Sequence, residues 1–203
     1  MPGLDSSFRL VAHRSSRCVL VGCGLLACLL LGLGCRKPAP AGPIHFAREE
    51  VALNVRPGTL EVHGMYHFTC TGSSPLIAGV FYPFPIDSTH LYPDSIELPG
   101  HRFTRADSGV SFRMKFQPGA EDSFFAWYRQ PLKTNSARYI VTSTRKWRRP
   151  IDLAQFRVTV PASFQGVELS FRPDSMARTE STTTYFITRS RFYPDRDLVV
   201  TWH

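Results

Sequence analysis

The chain has 203 residues, of which 43% are apolar, 12% aromatic and 20% charged, a globular balance that excludes wholesale disorder. Formal charge is +8; Arg9, Arg14 and Arg17 against Asp5 leave the first 34 residues at +2 and the remainder at +6. A solvated arginine-rich surface accounts for that excess, and so does affinity for anionic headgroups or other phosphorylated surfaces.

Four of the five cysteines, Cys18, Cys23, Cys28 and Cys35, fall within or at the end of an apolar leader. Arg9, His13, Arg14 and Arg17 precede this run of 17 residues, Cys18 to Gly34, and their charge keeps the N-terminus cytoplasmic while the rest is exported. The segment resembles the signal peptide of bacterial lipoproteins, in which small or aliphatic residues precede an obligatory cysteine that carries the lipid. Leu20-Val21-Gly22-Cys23 and Leu25-Leu26-Ala27-Cys28 match that pattern. The third candidate, Gly32-Leu33-Gly34-Cys35, stands where the apolar run gives way to Arg36-Lys37. Position selects Cys35 as the lipidation site, with Cys28 and Cys23 as alternatives. The resemblance implies a signal peptide over 1–34 and a cysteine held in membrane lipid by two or three acyl chains.

Arg36 to Pro43 holds three prolines in eight residues and reads as an extended tether, about 25 Å long at ~3.1 Å per residue. The lipidated cysteine and tether thus occupy 35–43, and a domain of roughly 160 residues follows over 44–203, long enough to bury a core without disulfides or metal. Its lone cysteine, Cys70, has no internal disulfide partner and is expected as a small buried hydrophobe.

From residue 44 the dominant period is two. Val51, Leu53 and Val55 alternate with polar neighbours, as do Phe112, Met114 and Phe116, then Phe156, Val158 and Val160, then Leu198, Val200 and Trp202. Strands are predicted near 49–56, 59–70, 76–84, 94–98, 109–117, 121–130, 137–145, 153–160, 166–172, 180–190 and 196–202. Turns are predicted at Arg56-Pro57-Gly58, Leu98-Pro99-Gly100, Gln117-Pro118-Gly119 and Arg172-Pro173-Asp174. The expected fold is all-β, an antiparallel two-sheet β-sandwich following the signal and tether. Phe81-Tyr82-Pro83-Phe84-Pro85, with Tyr139 to Thr142, Trp147 and Pro150-Ile151, is similar to uncharacterised bacterial extracytoplasmic β-sandwich domains and to the vault-type domain of inter-alpha-trypsin inhibitors. The likeness implies a sandwich and no particular activity.

Motifs of catalysis are absent from the sequence: no Gly-x-Ser-x-Gly, no Walker loop, no His-Glu-x-x-His. His63 and His67 would stand about 13 Å apart on a strand, too far for one ion. Asp87, His90 and Asp94 match no calcium-loop spacing, and the pairs Glu121-Asp122 and Asp195 with Asp197 suit turns. No cofactor, catalytic residue or metal is therefore expected. Tyr82, Phe84, Tyr92, Phe124, Phe125, Trp127 and Tyr128 are expected mostly in the core. One cluster stands out: Arg145, Lys146, Arg148 and Arg149 bracket Trp147, with Lys133 and Arg138 nearby. It suits an anionic envelope surface or a protein partner rather than nucleic acid, or else a solvated loop whose Trp folds back over the sandwich. The expected function is a non-catalytic, membrane-anchored binding or accessory module of the bacterial cell envelope. The alternatives are a carrier or sensor of a small apolar or glycan ligand, and a loop-based hydrolase.

Overall fold

A computed structural model describes residues 42–203, which fall within the unit Ala41–His203. The expected signal segment 1–34, the lipidation candidates Cys35, Cys28 and Cys23, and the expected tether up to residue 41 lie outside the described residues.

Alternation of apolar and polar side chains produces thirteen strands: β1 (Ile44–Arg56), β2 (Thr59–Cys70), β3 (Leu76–Pro83), β4 (Ser95–Glu97), β5 (Phe103–Ala106), β6 (Gly109–Phe116), β7 (Glu121–Pro131), β8 (Ser136–Tyr139), β9 (Ile151–Pro161), β10 (Glu168–Leu169), β11 (Ser175–Arg178), β12 (Thr182–Phe192) and β13 (Leu198–Thr201). The all-β architecture expected from the two-residue period is what the chain forms. Pro57 and Gly58 close the β1–β2 hairpin, Gly58 with a φ of 71°, the left-handed value that the second central residue of a Pro-Gly turn needs.

One layer is a single seven-stranded sheet in the order β11-β12-β9-β1-β2-β7-β4; the other is divided between β3-β6-β5 and β10-β13-β8. Pairing between the strands is antiparallel except between β1 and β9, which run parallel, an arrangement permitted by the almost one hundred residues of chain between them. The inner face of the large sheet carries Leu53, Leu60, Val62, Phe68, Phe124 and Phe156, all buried. Phe68 meets Phe116 at 5.8 Å and Phe124 meets Phe112 at 4.9 Å, which seats the β3-β6-β5 sheet. Phe156 meets Tyr139 at 6.2 Å, which seats the β8 sheet beside it. Cys70 is buried at the end of β2.

Several sequence expectations change. The strand expected over 137–145 stops at Tyr139, where its partner β13 begins at Leu198, and the chain turns into a 3-10 helix, Thr142–Trp147. Asp197 drives that turn: its Oδ1 accepts the amides of Val141 and Thr142 at 3.2 and 3.1 Å and the Thr142 hydroxyl at 2.7 Å. Asp197→Ala should therefore destabilise the domain by about 2 kcal/mol. Denaturant midpoints measure that loss, and a red shift of tryptophan emission reports the loosened helix. Strands β5 and β11 had no expected counterpart, since most of β5 and all of β11 is exposed and neither shows apolar alternation. Phe125 and Trp127 are on the outer face of β7, not in the core with Phe124 and Tyr128, because neighbouring residues of a strand point to opposite sides.

Candidate functional site

The polar interior begins with a β-bulge. Phe46 pairs with Phe68, but Arg48 pairs with His67, so Ala47 is an extra residue in β1. The inserted residue reverses the phase of the strand: Phe46 faces the core before it, and Glu49, Val51, Leu53 and Val55 face the core after it. Glu49 is thereby turned inward opposite Tyr66 and is 1% exposed.

Tyr66 is the hub of a hydroxyl cluster that joins all three sheets. Its Oη lies 2.6 Å from the Tyr82 hydroxyl on β3 and 2.8 Å from the Tyr139 hydroxyl on β8. Gly64, two residues back on the same face, leaves the room, since a Cβ there would fall on the Tyr66 hydroxyl. Phe124 stacks on the Tyr66 ring at 4.7 Å and fixes its plane. Burial raises the pKa of all three tyrosines, so they remain neutral hydrogen-bonding groups.

Glu49 lies within electrostatic reach of each of these tyrosines. Its Oε1 is buried and has no hydrogen-bond partner in the protein. Loss of hydration pushes its carboxyl up to about 8, so at neutral pH it is mostly the uncharged acid. It borders a cavity of about 60 Å³, walled by Phe46, Phe68, Phe124 and Trp147 along with the tyrosines. Half-buried Phe81, Pro83, Ser143 and Trp147 form the outer part of the lining and mark its mouth. At ~10–15 Å³ per water-sized sphere, the space suits a handful of waters or one small polar group.

The basic cluster reaches this site through its tryptophan. Trp147 is half-buried, 6.4 Å from the Phe46 ring and 5.6 Å from Phe68, and closes one side of the cavity. Arg145, Lys146 and Arg148 are exposed on the same 3-10 helix and its end, and Arg149 is half-buried. Arg145 stacks over Tyr193 at 5.1 Å. Arg138 is drawn away to Asp87 at 3.2 Å, and Lys133 lies exposed beyond β7.

The remaining candidates are occupied by local structure. Asp87 accepts the Thr89 and His90 amides at 2.8 and 2.9 Å, and hydrogen bonds led by the Thr89 hydroxyl hold its carboxyl well below the usual carboxylate range. Asp94 pairs with Arg129 at 2.9 Å instead of joining Asp87. His67 meets Glu121 at 2.9 Å, and His63 packs on the outer face against Phe125 and Trp127. Asp122 accepts the Gln117 amide, and Asp195 pairs with Arg196. Among the described residues, no three His, Cys, Asp or Glu side chains gather as metal ligands. A larger open groove of about 410 Å³ between Ala162–Val167 and Arg178–Tyr185 is lined by one charged residue, Arg178, and gathers no buried titratable group.

Sequence reasoning missed Glu49, although a signal for it was present. Ile44 and Phe46 alternate on even numbers, while Val51, Leu53 and Val55 alternate on odd ones. That break of phase requires an extra residue between them and places Glu49 in step with the core.

The fold and site define a class: a two-layer all-β domain with an uncharged carboxyl and a tyrosine cluster enclosed between the layers. No protein-family model matches the chain, and neither does any curated protein. Among solved structures, a candidate nutrient binding protein from Legionella pneumophila aligns with a TM-score of 0.55 and 12% identity, over 81% of this chain and 68% of that one. The M1 zinc metallopeptidase of Deinococcus radiodurans aligns at 0.46 with 16% identity, over 79% of this chain and 42% of the enzyme. A variant of that enzyme bound to a Tyr-Ser-Ala substrate aligns at 0.49 with 16% identity, over 78% of this chain and again 42% of the enzyme. At 12% identity the likeness to the Legionella protein is one of fold alone, and this chain spans less than half the length of the peptidase.

Proposed function

We propose that this protein is a non-catalytic binding module of a bacterial cell envelope, tethered to a membrane through lipid on Cys35, which takes a small polar ligand between its β layers. The observation that carries the binding part is Glu49, a buried carboxyl with one oxygen unpartnered at the edge of a cavity that opens to the surface. A buried acceptor left without a partner is unfavourable by about 1–3 kcal/mol, and a ligand that supplies the missing donor recovers that energy on binding. The tyrosine hydroxyls already bond to one another and so hold their positions for a ligand, an arrangement suited to recognition. The Legionella protein, whose name speaks of nutrient binding, fits this reading.

Location is supported by the arginine-led apolar leader and the cysteine at its end. The exposed Arg145 and Arg148 give the module a basic face suited to anionic headgroups or an acidic envelope partner.

Expression of the full chain in a bacterium tests both parts. Wild type is expected in the membrane fraction after a high-salt wash, with radiolabelled palmitate incorporated and a mature N-terminus at Cys35. Cys35→Ala should lose the label and accumulate as uncut precursor. Mass spectrometry of the protein released in gentle detergent should find a small molecule that leaves on denaturation. A wild-type chain that keeps Met1 and stays in the soluble cytosol contradicts the location. Retention of the label in Cys35→Ala moves the lipid to Cys28 or Cys23.

A further inference from the structure

We infer that the cavity beside Glu49 receives an organic ammonium group, seated between the Glu49 carboxylate and the aromatic wall of Phe46, Phe68 and Trp147. This rests on the binding-module reading and adds the chemical class of its ligand.

Three observations point to a cation. Aromatic rings attract ammonium groups, and three of them line the cavity: Phe46 and Phe68, which stack on each other at 4.7 Å, and Trp147, tilted against both. The titratable groups facing Glu49 are tyrosines, Tyr66 from β2, Tyr82 from β3 and Tyr139 from β8, while β9 sets Ala154 against it and β7 contributes Phe124. The cavity lining therefore holds an acid and no Lys, Arg or His to receive an anion. The exposed Arg145, Lys146 and Arg148 stand on the water side of the same helix, where salt screens them, and Arg149 is half-buried next to them.

Binding is then an exchange. The carboxyl gives its proton to solvent, becomes a carboxylate and pairs with the ammonium, and no other bond is made or broken. Burial without a counter-charge keeps the carboxyl protonated up to about pH 8 in the free protein, so binding near pH 7 releases close to one proton per ligand. Affinity should rise about tenfold from pH 6 to pH 7 and level off above 8. An ammonium group arrives either on a free amine or on an amino-acid zwitterion.

Calorimetric titration of the full chain in detergent, in phosphate and in Tris at pH 6, 7 and 8, separates these cases. The probes are methylammonium, glycine, acetate and urea. Methylammonium or glycine is expected to bind with proton release and the stated pH dependence, and the tighter of the two identifies amine or zwitterion. Glu49→Gln, close in shape to the protonated acid, should melt no lower than wild type at pH 6, lower affinity at least about tenfold and abolish proton release. Equal binding of acetate or urea, binding without proton release, undiminished binding by Glu49→Gln, or no binding of any probe each overturns the inference. The underlying reading is judged separately by the copurified molecule: one without an ammonium group preserves the module and overturns the ammonium.

Discussion

Replacing Glu49 with Gln makes the domain more stable than wild type at pH 9 and nearly equal to it at pH 5. The folded protein holds the Glu49 proton up to about pH 8, whereas an ordinary glutamate releases it near 4.5. Below pH 4.5 the side chain is protonated in both states and folding is unaffected. As pH rises from there, the unfolded chain gives up a proton that the folded chain retains, so stability falls until the folded carboxyl also ionises near 8. At about 1.4 kcal/mol per unit, the full loss is on the order of 5 kcal/mol, a large share of the stability of a domain this size. Gln cannot ionise, so the variant escapes that decline. Urea unfolding at pH 5, 7 and 9 should show wild-type midpoints falling and Glu49→Gln midpoints holding level. Parallel curves for the two proteins would show that Glu49 is solvated and ordinary.

Gly64→Ala should destabilise by about 3 kcal/mol, far more than one methyl group on a strand ordinarily does. An added Cβ occupies the position of the Tyr66 hydroxyl, so the ring must leave and both of its hydrogen bonds must break. Overpacking contributes about 1–3 kcal/mol, and each buried hydroxyl left unpaired adds about 1–3. Only a few tenths to 1 kcal/mol returns through reduced freedom of the unfolded chain. In a Tyr66→Ala background the same substitution meets open space and should cost almost nothing, so a double-mutant cycle isolates the clash. Tyr66→Phe, which keeps the ring and removes the hub hydroxyl, should lie between at about 2 kcal/mol. Chemical denaturation of the five proteins gives these values, and equal losses for Gly64→Ala in both backgrounds would refute the packing argument.

The legibility of this fold follows the range of the forces involved. Strands β1, β2, β6, β7 and β9 bury one face against a continuous layer, so burial imposes a two-residue period that is visible in sequence. Division of the second layer into two sheets was not visible, because it depends on which edges pair after the chain has returned from distant turns. The helix at Thr142–Trp147 was hidden for a similar reason: its capping acceptor, Asp197, lies 55 residues away from Thr142. Trp147 was singled out together with its basic neighbours, but its packing on Phe46 and Phe68 joins residues about eighty to a hundred positions apart. A glutamate within a strand reads as solvent-facing, and only the phase break around Ala47 reveals that Glu49 turns in.

The claim on which the account turns is that Glu49 is an enclosed, uncharged acid at neutral pH. Difference infrared spectroscopy between wild type and Glu49→Gln, with carbon-13 in glutamate carboxyls, follows that group through a titration from pH 5 to 10. A protonated-carboxyl band present at pH 7, absent from the variant and lost near pH 8 is the predicted result. A carboxylate band already complete at pH 6 would contradict it.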